Sequence, residues 1–185
     1  LAPHTEVQSF QRSKARVVAV ETSRGRMRAG KFVVTAGAWS RKLLGGIQPT
    51  IAIRPLRGQI VLLSTPDPVI RHVINWGPRY LVPRADGRIL VGATEENVGF
   101  DRRPTAAGAG GLIEFGTRLV PCLKDATLEC CWAGLRPQSA DGLPYLGRLN
   151  SDENLFIAAG HFRAGLQLSP ITARLMTNLI LERDV

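Results

Sequence analysis

The absences narrow the field first. No apolar run approaches the roughly 20 residues of a membrane-spanning helix; the runs present, such as residues 60–63, are strand-sized. Cysteine is scarce, with three residues, of which Cys130 and Cys131 are adjacent. An odd count with a neighbouring pair makes no disulfide framework, and on a strand the two side chains would point to opposite faces. No CxxC spacing or nearby histidine accompanies Cys122 or the pair, and His4, His72 and His161 lack metal-ligand spacing, so a metal site is not expected. Reduced structural thiols of a cytosolic protein are the expectation. Aromatic residues make up 6% of the chain and do not interleave with basic ones, so the pattern of a nucleic-acid module is missing. A P-loop is absent, and no Ser/His/Asp or Cys/His set stands out. The glycines at 108, 110 and 111 start like a dinucleotide fingerprint. The third glycine of that pattern would fall at 113, which is Ile113, and Asp101-Arg102-Arg103-Pro104 stands where a strand should precede it. Repeats and low-complexity tracts are missing too.

The 185 residues are 44% hydrophobic and 21% charged, as in a globular chain of one domain or one and a half. Net charge is +9, from 24 Lys+Arg against 15 Asp+Glu. That excess suits anionic ligands, but the arginines are spread along the chain, with no block of five like charges and no basic helix face. The first residue is Leu1, with no signal segment after it. The expectation is therefore a chain that begins inside a longer gene product.

The local patterns mix strands and helices. Residues 6–10 and 16–22 read as strands, with a turn at Ser23-Arg24-Gly25. Residues 31–35, KFVVT, read as a compact strand running into Ala36-Gly37-Ala38-Trp39-Ser40 and a short helix that ends at Gly45-Gly46. Residues 49–65 form a long strand pattern interrupted at Pro55 and Gly58. Residues 80–83 and 88–92 pair as a hairpin around Ala85-Asp86-Gly87. Residues 105–120 have helical spacing, with Leu112, Phe115, Gly116 and Leu119 on one face. Residues 129–135 and 155–159 are strands. The chain closes on an amphipathic helix with Ile171, Leu175 and Leu179 in one stripe. Ser169-Pro170 is either its N-cap and first residue or a kink one turn in.

Two segments carry chemistry. In WAGLRPQSADGLPYLG (132–147), a strand delivers Arg136 just before Pro137, and Asp141-Gly142 supplies a turn. A guanidinium held this way can take a planar carboxylate bidentately. In LFIAAGHFRAGLQLSP (155–170), a buried strand enters a glycine-flanked turn and then a helix. Free N–H groups at a helix start attract negative charge.

Together with VVTAGAWS, YLVPR and GRILVGATEE, in that order, these strings resemble the flavin-dependent amino-acid oxidases of the D-amino-acid oxidase type, closest to the glycine-oxidase branch associated with thiamine biosynthesis. The likeness runs nearly the whole chain. It lacks the opening strand and GxGxxG turn with which that family holds the FAD pyrophosphate. The implied fold is α+β: a mixed, largely antiparallel substrate-domain sheet flanked by helices, with the C-terminal remnant of an FAD-binding α/β domain. Residues 1–45 would belong to the FAD domain, 46–131 to the substrate domain and 132–185 to the FAD domain again.

By the same resemblance, Arg136 clamps the substrate carboxylate, Tyr80 supplies a hydroxyl to it, and Arg163 lines that pocket. The run His161, Phe162, Arg163, Ala164, Gly165, Leu166 and Gln167 contacts the flavin. Val7 contacts its adenosine side, and Gly37 lies near the ring. No acid–base residue is required, because the substrate hydride passes to the flavin by positioning and electrostatics. The implied cofactor is non-covalent FAD, with its retention by the lone chain left open. The implied partners are a small amino acid and the absent N-terminal half. A homo-oligomer stays open, and neither a nucleic acid nor a membrane span is expected. An FAD-dependent D-amino-acid dehydrogenase and a cofactor-less interaction domain are the alternative readings.

Overall fold

The computed structural model describes residues 1–183, and the last two positions of the 132–185 segment lie outside the described residues. The chain divides into two compact units: residues 1–54 with the segment from Arg136 onward, and Pro55–Leu135. The changeovers fall at 54/55 and 135/136, where the sequence placed them at 45/46 and 131/132. Both lie inside long strands, which explains why local composition does not mark them.

The first unit holds two small sheets. β1 (Val7–Ser13), β2 (Arg16–Thr22) and β3 (Gly25–Met27) form an antiparallel sheet in that order. β3 follows the Ser23-Arg24-Gly25 turn and is a short exposed strand that the sequence pattern did not show. The second sheet has the order β10 (Tyr145–Arg148), β11 (Leu155–Ala159), β4 (Phe32–Val34). β10 runs antiparallel to β11, and β4 runs parallel to it. The core gathers Val17, Val34, Leu44, Ile51, Ile53, Leu155 and Ile157. Asn154 joins the sheets: its side-chain amide donates to the carbonyls of Val17 and Gly30 at 2.9 and 2.8 Å, and its Oδ1 accepts from the Val17 N–H at 2.9 Å.

After β4, a 3₁₀ turn at Gly37–Trp39 leads into α1 (Ser40–Leu44). α3 (Gly165–Ile180) packs on β10 and β11. Pro170 lies inside α3, so Ser169-Pro170 is not its N-cap and first residue. The expected apolar stripe is not the core face. Ile171 and Leu179 are 46% and 40% exposed, and Met176 is the buried residue of this helix.

The second unit is built on a five-stranded sheet of order β6 (Ile74–Trp76), β7 (Arg79–Pro83), β8 (Arg88–Gly92), β5 (Ile53–Ser64), β9 (Thr127–Ser139). The β6/β7, β7/β8 and β5/β8 pairs are antiparallel. β5 runs unbroken through Pro55 and Gly58, contrary to the interruption expected there, and β9 extends through Pro137. α2 (Ala106–Leu119) covers one face, burying Leu112 and Phe115 against Val61, Leu63, Leu81, Ile89 and Val91. Thr105 caps α2, its hydroxyl accepting from the Gly108 N–H at 3.1 Å. Gln59 packs directly where a Gly108 side chain would stand. That contact explains the glycine without any phosphate.

Candidate functional site

The strand end that carries Arg136 and the bend at residues 161–167 meet within the first unit. β9 continues to Ser139, past the end at residue 135 that the sequence pattern suggests, and the carbonyl of Pro137 accepts a hydrogen bond from the Phe162 N–H at 2.9 Å. Gln138 and His161 form an isolated antiparallel bridge one residue further along. Arg136 is therefore the residue just before a backbone clasp onto the bend. Its side chain is half-buried. Beyond it, Arg54 Nε donates to Gln138 Oε1 at 2.8 Å, fixing the strand from its other side.

β11 delivers the bend. The chain turns at Gly160, with φ +88°, and at Phe162, with φ +50°. A phenylalanine in the left-handed region is strained, and such strain is held only where the surroundings over-determine it. Here the clasp to Pro137 holds one side. On the other, His161 Nε2 lies 2.9 Å from Thr172 Oγ1, one helical segment downstream. Thr172 was not legible in advance, since nothing in a helix sequence marks a threonine as the anchor of a histidine eleven residues earlier.

α3 starts with Ala164 as N-cap and has no side-chain cap and no acidic residue in its first turn. Its first intrahelical bond from this end is Leu168 N–H to Ala164 carbonyl at 2.9 Å. Helix geometry leaves the N–H groups of Gly165, Leu166 and Gln167 without intrahelical partners. A short run of unclaimed donors at the positive end of a 16-residue helix suits the electron-rich end of a bound ring. The donor set thus fits the flavin contact that the resemblance assigns to it. Gly165 is half-buried, whereas Leu166 is 89% exposed and Gln167 is exposed, as is Arg163.

Val7 and Gly37 lie elsewhere in the same unit. Val7 lines a hollow of about 850 Å³, together with Phe10, Val20, Val34, Thr35, Ala36 and Trp39. Gly37, with φ +52°, lies in sequence between Ala36 and Trp39, two of the residues that line it. The pyrophosphate-binding half of an FAD site is not among the described residues, since no strand–GxGxxG–helix unit occurs.

Tyr80 belongs to the second unit. It sits on β7, half-buried, on the sheet face away from α2. Ile60, Leu62, Val82 and Leu90 share that face by strand alternation and are likewise half-buried. The result is an apolar surface bearing one phenolic hydroxyl. The three cysteines are free and exposed rather than packed in the core. Among the described residues no cluster of three His, Cys, Asp or Glu could hold a metal, and no helix is long and apolar enough to cross a membrane.

The α+β architecture sets an amide-rich helix start beside an arginine, and likeness to known proteins supplies the class. The chain belongs to the family of FAD-dependent oxidoreductases, whose profile spans residues 1–179. It is 38% identical over 180 residues to a glycine oxidase of Pseudomonas putida, covering 97% of this chain and 49% of that protein. The crystal structure of glycine oxidase from Geobacillus kaustophilus superposes with a TM-score of 0.93 at 34% identity, over 98% of this chain and 49% of that one. That of an L-proline dehydrogenase from P. horikoshii superposes with a TM-score of 0.85 at 27% identity, over 97% of this chain and half of the other. The chain thus spans about half the length of the relatives it matches.

Proposed function

We propose that the chain is the substrate-facing C-terminal portion of a flavoprotein that oxidatively deaminates glycine or another small amino acid. The observation that carries this reading is the clasp between Phe162 N–H and the Pro137 carbonyl. It holds Arg136, which this reading takes as the carboxylate ligand, beside an amide-rich helix start, and the reaction needs both elements.

Arg136 takes the substrate carboxylate and Arg163 adds to the polar lining on its unit, while Tyr80, on the second unit, is given its hydroxyl role by the family resemblance. Binding the carboxylate fixes the neutral amine's Cα–H in one direction, which supplies most of the catalysis. The N–H groups of residues 165–167 stabilise negative charge at the pyrimidine end of the ring. Bound FAD would supply the hydride acceptor that oxygen reoxidises, and the overall reaction would convert amino acid, oxygen and water to 2-oxo acid, ammonia and hydrogen peroxide. The likeness to the L-proline dehydrogenase supports a second reading, in which another acceptor replaces oxygen.

The remaining FAD contacts, above all those to the pyrophosphate, fall to the half of the relatives' length that this chain does not span. That half is the partner this reading implies. β4 is the outer strand of a parallel pair, an arrangement normally covered on both sides. Val33 and Trp39 beside it are 42% and 41% exposed, and the hollow they line mixes apolar residues such as Phe10 and Val20 with Glu6, Gln8 and Lys42. The added half packs there.

Steady-state turnover of Arg136→Ala in the FAD-loaded enzyme tests the proposal. Losing a charge-assisted bidentate pair costs about 2–5 kcal/mol of substrate binding, read as a higher KM. An unchanged KM overturns the assignment. Peroxide measured in the same assay separates oxidase from dehydrogenase.

A further inference from the structure

The Tyr80 ring lies across the neighbouring strand, and one glycine allows it. In the sheet register Tyr80 on β7 faces Gly92 on β8, and Gly92 faces Ile60 on β5. The three form one row on the face turned away from α2, because their sequence neighbours Leu81, Val91 and Val61 pack with Leu112 and Phe115. Gly92 leaves the middle of this row without a side chain. A Cβ built there would stand 2.6 Å from Tyr80 Cζ and 2.7 Å from both its Cε2 and its hydroxyl oxygen. The far end of the ring therefore covers the backbone of β8, with the hydroxyl above Gly92. Real side chains do not approach so closely, so any residue larger than glycine forces the ring or the strand to move. Both residues are held in place, Leu81 and Val91 being fully buried on the opposite face.

We propose that Gly92 is a positioning residue for Tyr80. Bare backbone at 92 lets the ring lie flat over β8 and places the hydroxyl at one fixed point on the apolar face, where it meets the substrate carboxylate. The proposal rests on the reading of Tyr80 as a carboxylate ligand. It adds a determinant with no polar group of its own, acting only through the space it leaves.

The test compares Gly92→Ala, Tyr80→Phe and the double variant. KM and kcat for the amino-acid substrate are measured in the FAD-loaded enzyme. Tyrosine-ring NMR signals are measured in parallel, and because the sequence has two tyrosines, Tyr145→Phe assigns them. Gly92→Ala is expected to move the Tyr80 ring signals while leaving those of Tyr145 in place. It raises KM about fivefold or more, the loss of one hydrogen bond, with little change in kcat. The double variant has the KM of Tyr80→Phe, since the hydroxyl is already gone. If Tyr80→Phe raises KM but Gly92→Ala leaves either the ring signals or KM unchanged, the proposal is overturned while the reading of Tyr80 stands. If Tyr80→Phe leaves KM unchanged, the reading of Tyr80 fails and the proposal falls with it, whatever the ring signals do. Should Gly92→Ala not fold, Gly92→Ala with Tyr80→Ala must fold as Tyr80→Ala does, because the added methyl then meets no ring; a pair that still fails to fold overturns the proposal.

Discussion

Arg57 and Gln59 are 4% and 1% exposed, and polar groups so deeply buried persist only when paired. Arg57 Nε donates to Glu96 Oε2 at 3.1 Å, its Nη2 donates to the same carboxylate, and its Nη1 donates to the Arg103 carbonyl at 2.9 Å. Gln59 donates to Glu96 Oε1 at 2.6 Å and accepts from the Thr105 N–H at 2.8 Å. Burial pushes the Glu96 carboxyl up, but hydrogen bonds from Thr94, Arg57 and Gln59 outweigh it and hold the group below its ordinary value. The folded chain therefore binds fewer protons than the unfolded chain as pH drops. The stabilisation is complete above the ordinary glutamate range and is lost as pH falls through the lower folded value. Melting temperature should decline between pH 6 and 3, and Glu96→Gln should flatten that slope while costing about 1–3 kcal/mol at neutral pH. An unchanged slope would mean that another carboxylate sets the acid limit. Nothing in the sequence links positions 57 and 96; the link exists because a bridge between the two backbones brings them face to face. Arg136 stands out as a candidate in the sequence for the opposite reason, since its strand and its proline lie next to it.

Short elements with sharp ends were easiest to read. The β7–β8 hairpin and the β11 strand fall where turn residues and apolar runs place them. Proline misled at two strands: Pro55 and Pro137 sit inside β5 and β9, where the reading from propensity alone placed breaks. In α3 the misfit is local. Pro170 has no N–H for the Leu166 carbonyl, and the hydroxyl of Ser169 donates to that oxygen instead, at 2.8 Å. Pro170→Ala restores the donor and should raise stability by about 1–3 kcal/mol, seen as a higher melting temperature. A lower melting temperature would show that the helix needs its proline. The apolar stripe of Ile171 and Leu179 was correctly read as apolar and wrongly assigned to the core, because helical spacing reports which residues share a face and not what covers it.

The molecule consists of two units that exchange the chain twice, within β5 and within β9. Fold class was accessible from the sequence because ordered motifs constrain it more tightly than composition does. The unit boundaries were not, since each lies mid-strand, where hydrophobic alternation continues unchanged. Exposed apolar residues at β4, at α3 and in the first half of β9, including Val33, Ile171, Leu128 and Trp132, are consistent with a larger assembly around this chain. The central part of the proposed chemistry lies in one region of the first unit, where the strand bearing Arg136 is clasped to the 161–167 bend. A crystal structure of the FAD-loaded enzyme with a small carboxylate that cannot be oxidised, such as acetate, tests this most directly. The account predicts the carboxylate on the Arg136 guanidinium and the pyrimidine edge of the flavin against the N–H groups of residues 165–167. A carboxylate bound away from Arg136, or a flavin that leaves those donors to solvent, would contradict it.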